Sequence, residues 1–107
     1  MVTDERMEKA LNYLIDTDDS AAEAKANVER AKYAAKLVRQ RVFLLSDKTS
    51  VAAKEADAEV HKDTQDAEAR IADNIVKFAK LDNRRETARI VIDLYRTQQA
   101  NRRVGSV

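Results

Sequence analysis

The residues that could do chemistry are few, and most lie near the middle of the chain. His61 is the one histidine. It stands between Glu59 and Asp63, and a general base needs a partner held where it can orient the ring. Asp57, Glu59, Asp63, Asp66 and Glu68 crowd the same stretch. A hard-cation site needs oxygen ligands converging on a point, with glycine for the sharp turn of the loop. No calcium-loop pattern occurs, and Gly105 is the only glycine. The stretch therefore reads as a solvated acidic face, and His61 as a surface histidine at a helix end. Helical bundles hold iron or manganese with Glu-x-x-His pairs; here Asp57 and His61 are four apart and no second pair exists. The chain has no Cys, which removes disulfides, thiolate metal sites and cysteine nucleophiles. No catalytic residue, metal ligand set or cofactor site is expected, and an enzyme is not expected.

Charge offers more. The formal net charge is +1, but residues 70–107 hold nine Lys or Arg against four acids, and residues 1–69 hold eleven against fifteen. Arg84, Arg85, Arg89, Arg96, Arg102 and Arg103 form a cluster suited to phosphate or to an acidic protein surface. The competing use is pairing, internal or between subunits. The chain starts acidic, with Asp4, Glu5, Glu8, Asp16, Asp18, Asp19 and Glu23 against Arg6 and Lys9, and complementary flanks set helix register. That use is the favoured one. A second basic row, Lys25, Arg30, Lys32, Lys36, Arg39 and Arg41, is interrupted by Glu29 and reads as a solvated face. Sequence-specific DNA reading would need a helix-turn-helix or a basic region without acids, and neither is evident. Single-strand binding wants aromatics on a basic groove, whereas Tyr13, Tyr33, Phe43, Phe78 and Tyr95 have packing uses.

The elements that carry these residues are legible from spacing. The chain has 107 residues, no Pro, 44% hydrophobic and 36% charged residues, so turn-rich β folds are excluded and one domain over 1–107 is expected. Met7, Leu14, Ala21, Val28, Ala35 and Val42 recur every seven residues, and Ala10, Thr17, Ala24, Ala31, Val38 and Leu45 follow each by three. A 3,4-spaced row kept in phase this long is a coiled-coil-like seam. It predicts one helix over about 4–45, capped by Thr3 or Asp4, with a break at Asp18 as the alternative because Thr17-Asp18-Asp19-Ser20 are weak helix formers. Ala67, Ile71, Asn74, Phe78, Leu81, Arg85, Ala88, Ile92, Tyr95 and Gln99 repeat the pattern and predict a second helix over about 64–102, capped by Asp63 or Thr64. Asn74 and Arg85, polar on the seam, read as register-fixing devices. Ser46 to Ser50 is the one clear loop, a short helix follows over about 51–60, and His61 to Thr64 is a bend. Gly105 should release the chain, leaving 103–107 frayed. The expected architecture is all-α: a long antiparallel helical hairpin with a short intervening helix, each long helix on the order of 60 Å.

An Ala-rich seam buries little area, so the shortfall must be met elsewhere. A second apolar stripe runs opposite each seam: Tyr33, Leu37 and Leu44 on the first helix, Val76, Ile90 and Leu94 on the second. From Ala88 to Tyr95 the helix is apolar almost all round, and such a segment is normally covered on two sides. The short helix is expected to cover one patch and a second copy the other, as a homodimer. No apolar run approaches the ~18 residues of a membrane span, and the N-terminus lacks a signal-peptide apolar region, so a soluble, cytoplasmic chain is expected.

Three stretches together carry a likeness: Ala10 to Leu14, the Lys/Arg-studded Ala31 to Leu45, and Tyr95 to Arg102. The arrangement resembles a group of small all-helical proteins of tailed phages and prophages, whose genes lie near early DNA-metabolism and recombination functions. The resemblance implies a phage origin, action in the host cytoplasm and a non-enzymatic role. With two apolar faces per helix, it leads to the expectation of a protein-binding accessory to DNA processing. The alternatives are an inhibitor of a host defence complex, of the anti-CRISPR type, and a non-specific nucleic-acid-binding protein.

Overall fold

The computed structural model describes residues 1–105. Three helices follow one another, α1 over Asp4–Leu45, α2 over Val51–Val60 and α3 over Lys62–Gly105. No strand occurs among the described residues. The chain is all-α, a pair of long helices with a short one between them, as the heptad pattern predicts.

Each boundary has a local cause. The Thr3 hydroxyl accepts the Arg6 N–H at 3.1 Å, capping α1, and Asp4 and Glu5 occupy the dipole-favoured first turn. The helix does not break at Asp18. Thr17 Oγ1 donates to Tyr13 O at 2.6 Å, so the weak helix former is satisfied inside the helix that it would otherwise compete with. The loop falls at 46–50, and Ser50 caps α2 by accepting the Ala53 N–H at 3.1 Å. The bend predicted over His61 to Thr64 shrinks to a single residue. His61 alone is extended, at φ −66° and ψ 140°. Its Nδ1 accepts the Asp63 N–H at 3.0 Å and its carbonyl accepts the Gln65 N–H at 3.0 Å, so the histidine is the N-cap of α3 in place of Asp63 or Thr64. Thr64 goes instead into the first turn and is buried. At the other end α3 runs to Gly105. Residues 103–105 are helical rather than frayed, with Arg102 and Arg103 in the last turn where cations suit the dipole. Ser106 and Val107, also expected in a frayed tail, lie outside the described residues.

The chain divides into two compact units, one of Met1–Ala22 with Ala79–Val107, the other of Glu23–Phe78. Both long helices contribute to each. In the first unit α1 and α3 are antiparallel. Val2 N–H donates to Gln98 Oε1 at 3.0 Å while Gln98 Nε2 returns to Val2 O at 2.9 Å, and Tyr95 Oη donates to Asp4 Oδ1 at 2.7 Å. Val2, Ala10, Ala88 and Val91 form its core, with Met7, Tyr13, Leu14, Ile92 and Tyr95 half-buried against them. In the second unit Val28, Ala35 and Val42 of α1, Ala58 of α2 and Ala67 of α3 are buried. The seam residues fall where the heptads place them, buried or half-buried, with one exception. Leu45, the last residue of α1, is exposed, because the helix ends there.

Both cores are shallow for one reason. Two helices give one seam, and of its apolar residues only Ala and Val fit fully beneath it, the larger ones staying half-covered or exposed. Burial at roughly 25 cal/mol per Å² then contributes little per layer.

Candidate interaction surfaces

The six clustered arginines separate into three kinds. Arg85 turns inward and is only 7% exposed. Its Nη1 donates to Leu14 O at 2.9 Å and to Thr17 Oγ1 at 2.7 Å, and Nη2 to Asp18 Oδ1 at 3.3 Å. It is the register-fixing residue the seam calls for, and it leaves the candidate contact patch. Arg89 pairs along its own helix with Glu86 at 3.2 Å, and Arg102 Nη2 lies 3.7 Å from Met1 Sδ. Arg84, Arg96 and Arg103 are exposed; among the described residues no ion pair involves Arg84 or Arg96. Of the pairing expected between the arginine cluster and the acidic start of α1, one ion pair is seen among the described residues, Arg85 with Asp18.

Arg84 lies instead on a shallow apolar groove of about 400 Å³ in the first unit, with Arg6, Lys9, Tyr13, Ala88 and Val91.

In the second unit Arg39 has partners that its place in a surface row does not announce. Its side chain stays 40% exposed, but it joins all three helices, with Nη1 on Glu59 of α2 and Nη2 on Glu68 of α3 at 3.1 Å. These hydrogen bonds hold its guanidinium pKa above the usual value. The signal was available in part, since Glu59 and Glu68 sit nine residues apart on either side of the bend. Their convergence on Arg39 depends on where α2 turns back. Asn74 also departs from expectation. Its amide donates to Arg70 O at 2.8 Å within α3, so that bond ties it to its own helix and fixes no register.

The second apolar stripe is open. Tyr33 is 64%, Leu37 48% and Leu44 75% exposed on α1; Val76 is 50%, Ile90 50% and Leu94 55% exposed on α3. The short helix does not cover it. Lys54 of α2 lies over the Phe43 ring, 5.7 Å from its centroid, and α2 leaves beside Leu44 a groove of about 570 Å³ lined by Arg39, Gln40, Phe43, Glu55, Ala58 and Glu59. In the segment that is apolar almost all round, α1 takes Ala88 and Val91, and Ile90 and Leu94 face away.

The acidic stretch gathers into no ligand shell. Among the described residues no group of three or more His, Asp or Glu could hold a metal ion. Asp57 accepts from Ser46 Oγ at 2.7 Å, and His61 spends Nδ1 on the α3 cap, with the Asp63 carboxylate 4.0 Å away. No helix of the described residues is long and apolar enough to cross a membrane. In comparisons with protein-family models, curated proteins and solved structures, nothing matches the chain.

Proposed function

We propose that this chain is a non-enzymatic helical binding protein that acts through contacts with other proteins, as an accessory to phage DNA processing or recombination. One observation carries the reading: the row of Tyr33, Leu37 and Leu44, half to three-quarters exposed on the face of α1 opposite a filled seam. Burying a side chain of this size is worth about 1.5–3 kcal/mol, and an aligned apolar row at helical spacing is what a partner helix covers. The phage setting rests on the sequence resemblance alone. Affinity capture from infected cells, run beside a Leu37→Asp plus Leu44→Asp variant, tests the reading. A protein recovered by the natural chain and lost with the variant supports it. A recombination nuclease or annealing protein in that place makes the chain an accessory, and a host defence complex makes it an inhibitor. Recovery of no protein by either chain counts against both.

A second reading has its own observation. Arg84 and Arg96 are exposed and lack ion-pair partners among the described residues, which suits phosphate.

A further inference from the structure

The open rows on α1 differ in charge between the two units. In the first unit Glu8, Leu11, Ile15 and Asp19 succeed one another at spacings of three, four and four, so they form one row on the helix surface. Leu11 and Ile15 are 45% and 65% exposed. The α1 residues of that unit, 4–22, hold six carboxylates against two cations. In the second unit Tyr33, Leu37, Arg41 and Leu44 form the corresponding row, with Lys36 beside Tyr33. There the α1 residues 23–45 hold six cations against two carboxylates. Among the described residues Glu8, Asp19, Lys36 and Arg41 have no ion-pair partner. On α1 each unit thus offers an apolar row flanked mainly by one sign of charge, and the two signs are opposite; the acids beside the second row are Glu29 of α1 and, at the groove, Glu55 and Glu59 of α2, the last of them paired with Arg39.

We propose that the occupant of the Tyr33–Leu44 row is the Leu11–Ile15 row of a second copy of this chain, packed antiparallel. The inference rests on the protein-binding reading above and names its partner. Charge decides both partner and direction. Antiparallel packing sets carboxylates against cations, with Leu11 facing Leu44 and Asp19 facing Lys36. Parallel packing in register would set carboxylates against carboxylates and cations against cations, which is repulsive. The groove beside Leu44 gives the incoming Leu11 side chain an apolar seat. Every copy carries both rows, so the contact needs no other partner.

The test uses the full chain and charge exchange at two exposed residues, Asp19 and Lys36, which neither core uses. Sedimentation of the natural chain at low salt should show a dimer that weakens as salt is raised. Asp19→Lys alone and Lys36→Glu alone should each weaken association by about 10-fold or more, because each sets like charges face to face. An equimolar mixture of the two variants should restore it, since each then meets its opposite. The absence of native cysteine allows a check on direction. Under mild oxidation a mixture of Leu11→Cys and Leu44→Cys chains should give a disulfide dimer, and neither variant alone should. A chain that stays monomeric at low salt, a mixture no better than its components, or Leu11→Cys linking to itself would overturn the proposal. If the natural chain is monomeric while Leu37→Asp plus Leu44→Asp still abolishes capture of another protein, self-pairing fails and the protein-binding reading stands.

Discussion

Arg85 is the residue on which the first unit's register turns, and its replacement separates two accounts of why a guanidinium sits on an apolar seam. The side chain is 9% exposed, whereas its ion-pair partner Asp18 is 78% exposed. The carboxylate is therefore solvated, and an exposed pair of this kind is worth at most about 1 kcal/mol. The better bonds go to neutral acceptors, Leu14 O at 2.9 Å and Thr17 Oγ1 at 2.7 Å, and their gain is largely offset by the cost of taking the guanidinium out of water. What remains is the arginine stem filling the space between the helices. Three variants then rank in a fixed order. Arg85→Ala removes stem and bonds together and should cost about 2–3 kcal/mol. Arg85→Met keeps the volume and orphans nothing, because Thr17 Oγ1 still donates to Tyr13 O; it should cost about 1 kcal/mol or less. Asp18→Asn should cost no more than about 0.5 kcal/mol. Urea unfolding followed by helical circular dichroism measures all three, with an unchanged denaturant slope showing that only stability moved. A Thr17→Val partner in a double-mutant cycle should return a coupling of about 1 kcal/mol with Arg85→Met. If Asp18→Asn costs as much as Arg85→Ala, the ion pair and not the filled space anchors the register, and the reasoning fails.

Other outcomes follow from single contacts. The Tyr95 phenol is held above the ordinary tyrosine pKa by its hydrogen bond to the Asp4 carboxylate, with desolvation and the nearby charge adding to the effect. Its contribution to stability is therefore whole below about pH 10 and is lost as pH rises through the higher folded value. The difference in phenolate absorbance between the natural chain and Tyr95→Phe should titrate late, and Asp4→Asn should bring it back. Thr64 is 1% exposed and its hydroxyl has no hydrogen-bond partner among the described residues, so Thr64→Val should hold or raise thermal stability, by up to about 1 kcal/mol; a loss would show that the hydroxyl is bonded after all. The phosphate reading predicts that affinity for single-stranded DNA falls steeply with salt and drops with Arg84→Glu plus Arg89→Glu, and binding untouched by those changes would end it.

Period and composition by themselves determined the helices. A seven-residue repeat held in phase across Thr17 to Ser20 left α1 one rod, and the cluster Ser46 to Ser50 was bound to open a loop, since both depend on neighbours three or four positions away along the chain. The place of Tyr33, Leu37, Leu44, Ile90 and Leu94 opposite the seam follows from the same arithmetic, but that α2 leaves them open does not. Tertiary structure decided what involves distance across the chain. His61 became a cap because α2 and α3 meet at one extended residue, a geometry that no spacing encodes. Arg39, still at the surface, gained partners only when Glu59 and Glu68 were brought to it from two other helices. Arg85 was legible as a seam residue, but its bonds to a backbone carbonyl and a threonine besides Asp18 were not. A charge reaches for what lies within about 3 Å, and only the packed helices establish which atoms those are.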